Sequence, residues 1–180
     1  MLKILNQISS KKLFSNRYWQ YWYDEYKMPN GKNGEYHYVN SVGSTMIVPV
    51  LNDGRIIVTK QFRYLNQKVS IEFPGGGIEE GHSPESNAKK ELKEETAYET
   101  EALIKIGMFN PFNGITNEIC HVFIAKELKI GNQDLDESED IIVELLEEKE
   151  IDSLIGSGEL WDGMSLASWT LFKSYQRNRI

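Results

Sequence analysis

Between residues 17 and 28, "RYWQYWYDEYKM", aromatic residues recur in partial alternation with polar ones. That is the spacing of a half-buried strand. "PNGKNG" interrupts it as a turn, and "EYHYVNSV" resumes it. "TMIVPVL" and "RIIVTKQF" are strand-like apolar runs on either side of Asn52-Asp53-Gly54. The tight turn between them predicts a hairpin. "VSIEF", residues 69–73, is a short strand that runs into Pro74 and three glycines.

The pattern changes at Ser83-Pro84-Glu85. A Ser N-cap, Pro at the first helical position and an acid in the first turn start a helix, which should run to about Ala97. "ALIKIGMF" and "EICHVFIAKEL" read as strands, "GNQDLDESED" as an acidic loop and "IIVELL" as a strand. "EKEIDSLIGSG" is a short helix closed by glycines, and Asp162 caps a last helix through "SLASWTLFKSYQRN". Many strands with one central helix and terminal helices make a mixed α/β fold of the α+β kind, not a regular βαβ alternation. Residues 1–42 form an N-terminal antiparallel β segment, either a small sheet of its own or a dimerisation arm. Residues 43–180 form the main domain.

Composition narrows the function classes. The 180 residues carry a net charge of -7, with a pI near 5.1. An acidic chain lacks the basic surface that nucleic-acid binding requires. It can still take a small phosphorylated substrate if a divalent metal supplies the positive charge. The single cysteine, Cys120, excludes an intrachain disulfide and fits a reducing, cytoplasmic setting. No apolar run has the length of a membrane span, and the basic start shows no signal peptide.

The chemistry concentrates in "GGGIEEGHSPESNAKKELKEETAY", residues 75–98. On a helix, Glu91, Glu94 and Glu95 fall within an arc of about 100°. Such a cluster suits a solvated face screened by Lys89, Lys90 and Lys93. It equally suits a hard divalent cation, which takes carboxylate oxygens, water and substrate phosphate. Glycines beside the helix let backbone approach a metal or phosphate closely.

This stretch resembles the Nudix box, G-x5-E-x7-R-E-U-x-E-E-x-G-U, of the Nudix hydrolases. From Gly76, the residues Glu91, Leu92, Glu94, Glu95 and Tyr98 fall into register. Three positions depart: His82 stands for Glu, Lys90 for Arg and Ala97 for Gly. "KQFRYLNQKVSIEFPGG", "NPFNGITNE", "LDESEDIIV" and "SGELWDGMSLAS" are similar to further segments of the ADP-ribose pyrophosphatase and nucleoside-diphosphate-sugar branch. Asn113 stands where that branch usually has Pro.

The resemblance implies a Nudix fold, a mixed sheet flanked by helices, and hydrolysis of a nucleoside diphosphate sugar to a nucleoside monophosphate and a sugar phosphate. It implies Mg²⁺, or Mn²⁺, on Glu91 and Glu95, with Glu94 on a further metal and the Gly75 carbonyl completing the site. The base would be Glu139 or Glu137 of the acidic loop. Arg63 is a candidate phosphate clamp, or else a salt-bridge partner of Glu72. Glu72 and Glu118 join it as candidate substrate contacts. The branch forms homodimers through its N-terminal segments, so a homodimer is expected. The aromatics Tyr18, Trp19, Tyr21, Trp22, Tyr23 and Tyr26 suit core and dimer contact, or stacking on a nucleobase. In the family the box Arg and Glu pair across loop and helix; here another acid, such as Glu79 or Glu80, would have to pair with Lys90. The alternative function is a weakened relative that binds a nucleotide sugar as a sensor or partner.

Overall fold

The structure, a computed structural model, describes residues 4–132 and 140–178. The chain divides into two units: Met1–Gly43 with Asn110–Ile119, and Ser44–Phe109 with Cys120–Ile180.

The first unit is an antiparallel sheet of β1 (Asn6–Ser15), β2 (Gln20–Lys27) and β3 (Asn33–Asn40), with β2 central. The aromatic alternation predicted β2, and "EYHYVNSV" predicted β3. It did not reveal β1, because Ser and Lys dilute the apolar pattern of "NQISSKKLFS" and all ten positions are exposed. The segment 110–119 is tied to β3: Val39 bridges Thr116, the Ser41 amide donates to Asn117 Oδ1 at 2.9 Å, and the Tyr36 hydroxyl donates to the Gly114 carbonyl at 3.1 Å.

The second unit contains β4 (Ser44–Pro49), β5 (Ile56–Arg63), β6 (Lys68–Glu72), β7 (Gly75–Gly77), α1 (Pro84–Thr96), β8 (Tyr98–Glu99), β9 (Ala102–Phe109), β10 (Cys120–Lys126), β11 (Lys129–Ile130), β12 (Ile142–Leu146), α2 (Glu148–Ser157) and α3 (Gly163–Arg177). One sheet runs β7-β4-β10-β9, a second runs β12-β5-β6, and β11-β8 form a small ladder. The β4–β10 pair is parallel and every other ladder in the unit is antiparallel.

The expected β4–β5 hairpin does not form. The tight turn is present, with the Leu51 amide on the Arg55 carbonyl at 2.8 Å, but the strands meet only at the isolated bridge Val50–Ile56. Both edges of β4 are already paired, to β7 and to β10, so β5 enters the other sheet. The burial explains why. Met46 and Val48 on β4, with Cys120, Val122 and Ile124 on β10, point into a core shared with Ile56, Val58, Ile71 and Phe73 of the second sheet and with Trp169 and Phe172 of α3. Ile47, Phe123 and Ala125 point the other way, onto Ala88 and Leu92 of α1. A strand covered on both faces reads as a continuous apolar run, which says nothing about its partners.

The helix caps match the sequence. Ser83 Oγ accepts the Ser86 amide at 3.1 Å in a capping box with Pro84 at the first turn. Asp162 Oδ2 accepts the Ser165 amide at 2.7 Å. The end of α1 is less comfortable. Ala97 takes the left-handed conformation, φ 66° and ψ 8°, while its amide donates to the Lys93 carbonyl. A side chain there costs about 1 kcal/mol relative to glycine. Ala97→Gly should therefore raise the unfolding midpoint by about 2–4 °C, read by thermal denaturation. An unchanged or lowered midpoint would show that the strain is absent.

Candidate active site

Helix α1 presents three rows of side chains, each spaced i, i+4 and therefore aligned along one face. Ala88, Leu92 and Thr96 lie against the sheet and are buried. The row beside them is Asn87, Glu91 and Glu95, and it faces the glycine strand β7. The third row carries Lys90 and Glu94.

The second row holds the chemistry. Glu95 is buried at 6% exposure, and its Oε2 accepts the Gly75 amide at 2.9 Å. A buried carboxylate needs such partners to stay affordable. Glu91 lies against Gly76 so closely that a Cβ on that glycine would sit 2.7 Å from its carboxylate. A Cβ on Gly75 would sit 2.2 Å from the Thr45 carbonyl oxygen. The glycines are thus a β-strand paired to β4 at Thr45 and Met46, rather than the loop that three successive glycines suggest. A Cβ on Gly75 would run into β4 and one on Gly76 into Glu91 of α1, while Gly77 faces open space. Gly75 gives its amide to Glu95.

Lys90 finds the partner that the absent box glutamate would have supplied. Its Nζ lies 3.2 Å from Glu79 and 2.5 Å from Glu94. Burial works against its charge, but the hydrogen bonds it donates to Glu94 and then Glu79 outweigh it and hold the ammonium well above its usual range. Glu94 is therefore drawn into an ion pair, away from the Glu91–Glu95 row. The His82 amide donates to the Glu79 carbonyl at 3.1 Å, and its side chain makes no hydrogen bond among the described residues.

On the second sheet, Arg63 grips Glu72 with two donors: Nε on Oε1 at 2.7 Å, and Nη2 on Oε2. Glu72 is 4% exposed. This is the salt-bridge reading of Arg63. The Glu72 hydrogen bond raises the guanidinium's pKa, burial opposes it, and the Glu72, Asp162 and Glu95 charges add to the rise. Glu118 belongs to the other unit, where its amide donates to Thr116 Oγ1 at 3.1 Å. Asn113 lines a cavity of about 430 Å³ in that same unit, with Asp24, Tyr36 and Tyr38. Tyr18, Trp19 and Tyr21 are exposed; Tyr21 stacks on His37, and Tyr23 packs against the same ring at a tilt. Glu137 and Glu139 lie outside the described residues.

Among the described residues, no three His, Cys, Asp or Glu side chains form a preassembled metal cage. Mg²⁺ does not require one, since it usually keeps several waters and binds one or two carboxylates plus substrate phosphate. Two acidic side chains against a strand with no Cβ suit that donor set. The sequence reading missed Asn87, which is completely buried. A polar residue with poor helix propensity past the capping box, four places before a candidate ligand, was the available signal.

The two glycines should separate stability from function. At Gly75→Ala the new Cβ meets backbone, so the unfolding midpoint should drop by about 4 °C or more. At Gly76→Ala it meets only the end of the Glu91 side chain, so the midpoint should hold within about 2 °C while Mn²⁺ affinity falls at least about tenfold. Calorimetric titration and thermal denaturation of both variants read this. Equal effects on both quantities would refute the division.

The NUDIX domain matches residues 41–162. The chain is 34% identical to the ADP-ribose pyrophosphatase of Bacillus subtilis (strain 168) over 157 residues, covering 86% of this chain and 85% of that one. It is 31% identical to the methanol dehydrogenase activator of Bacillus methanolicus over 140 residues, 78% of this chain and 76% of that one. A solved structure described as an ADP compounds hydrolase superposes with a TM-score of 0.86 over 99% of this chain and 97% of its own, at 16% identity, which attests the fold. With its box in register and its fold shared, the chain belongs to the NUDIX domain family, on the side that resembles ADP-ribose pyrophosphatases, and is a Nudix pyrophosphohydrolase.

Proposed function

We propose that the chain hydrolyses the pyrophosphate bond of ADP-ribose or a related nucleoside diphosphate sugar, dependent on Mg²⁺ or Mn²⁺. The products are a nucleoside monophosphate and a sugar phosphate. The observation that carries this reading is the convergence of Glu91 and Glu95 on the glycine strand, where Gly75 donates to Glu95 and Gly76 leaves room for Glu91. Glu91 and Glu95 would hold the metal. When bound, it supplies charge neutralisation at the phosphates and lowers the pKa of the attacking water.

The chain's own residues do the rest. Arg63 offers a phosphate the guanidinium donors that Glu72 does not take, and Glu72 fixes its plane. Glu139 or Glu137 accepts the proton of the attacking water on a carboxylate oxygen. Glu94, bound to Lys90, serves a further metal only after leaving that pair. The name of the Bacillus methanolicus relative, an activator of another enzyme, favours a second reading in which the chain binds a nucleotide sugar as a partner protein.

Hydrolysis of a nucleotide-sugar panel with Mg²⁺ or Mn²⁺ decides between them. The parent chain should turn over at least one substrate, and Glu95→Gln should lower kcat/KM by more than about 100-fold. Turnover that survives unchanged in that variant would sink the metal-site assignment. Ligands that shift the melting temperature without turnover would favour the partner reading.

We also propose a cytoplasmic homodimer built through β1. This edge strand exposes Ile8, Leu13 and Phe14, with Ile4 and Leu5 just before it. A long apolar edge strand invites pairing with another chain. Sedimentation should give a dimer for the parent and a monomer for Ile8→Lys with Leu13→Lys. A parent that sediments as a monomer would end this proposal.

A further inference from the structure

The Asn87 side chain touches the loop, the sheet and a candidate ligand at once. It is completely buried. Its Oδ1 accepts the Glu79 amide at 3.2 Å, and its Nδ2 donates to Thr45 Oγ1 at 3.1 Å. The same Nδ2 reaches Glu91 Oε1 at 3.5 Å. Both amide hydrogens and the carbonyl oxygen are therefore engaged. Glu91 lies between this amide and Gly76, whose missing Cβ leaves room for the carboxylate.

Glu79 is held at two points. Asn87 binds its backbone amide and Lys90 binds its carboxylate. Both helix residues grip the same loop residue, one from the row facing β7 and one from the row beside it. His82, the position from which the family's loop braces its helix, supplies no side-chain bond among the described residues.

We propose that Asn87 is a positioning residue for Glu91, and that Asn87 and Lys90 together anchor the loop at Glu79 in place of the missing brace. The role in metal binding rests on the function proposed above, while the role in fixing Glu91 does not. Asn87 makes no contact with substrate in this account. It limits where the Glu91 carboxylate can lie and keeps the loop closed over the first turns of α1. Residues that orient a metal ligand in this way typically govern metal affinity by 10–100-fold.

Asn87→Ala and Asn87→Leu test this, the second filling the volume in case the first fails to fold. The first readout is the Glu91 side chain in metal-free protein, by NMR couplings across χ1. The parent should show one rotamer and both variants an average over several. The second is Mn²⁺ affinity by calorimetry, which should weaken 10–100-fold, with KM for substrate at saturating metal within about twofold of the parent. If the unfolding midpoint falls but the Glu91 rotamer and Mn²⁺ affinity stay at parental values, Asn87 is only a core residue and the proposal is overturned. If the parent binds no Mn²⁺ while Glu91 still loses its rotamer in the variants, the metal reading fails and the positioning role stands.

Discussion

The site depends on how closely α1 lies over β7. A Cβ on Gly76 would sit 2.7 Å from the Glu91 carboxylate, and β7 in turn lies so close against β4 that a Cβ on Gly75 would meet the Thr45 carbonyl. That approach brings a backbone amide onto the buried Glu95 and sets two acids side by side against a strand. It also explains the polar row in mid-helix. At such a distance the buried face of α1 needs hydrogen-bonding partners as well as apolar ones, and Asn87 meets Thr45 and Glu79 there.

Like charges along a helix repel, by a few tenths of a kcal/mol per exposed pair. The structure separates them by giving each a different partner. Glu94 goes to Lys90, Glu95 to the Gly75 amide, and Glu91 lies beside the Asn87 amide. Lys90 is about one-third exposed and its partner Glu79 is 54% exposed, so the Glu79 pair by itself adds little stability. Its value lies in geometry: it ties the loop to the helix. The Arg63–Glu72 pair differs: Arg63 is 46% exposed, but its removal would strand the Glu72 carboxylate, which is only 5% exposed.

Several local features were legible before any coordinates. Ser83 and Pro84 fixed the start of α1, Asp162 the start of α3, and the aromatic alternation fixed β2. These signals are local, acting within a turn of helix or along one strand. The β4–β5 pairing failed for the opposite reason. A turn can reverse the chain, but it cannot say whether the following strand finds a free edge, and β4 had none. The ten-residue strand β1 was missed because its few apolar residues are diluted by Ser and Lys and none is buried, so no in-out alternation marks it.

The chain by itself determined the family, the register of Glu91, Glu94 and Glu95, and the strain expected at Ala97, since spacing and turn chemistry are properties of sequence. Only the tertiary structure decided which acids face β7, that three glycines form a strand, and that Asn87 belongs to the site. The reason is common to all three. Each is a question of distance between segments far apart in the chain, and the packing of α1 and the two sheets sets those distances.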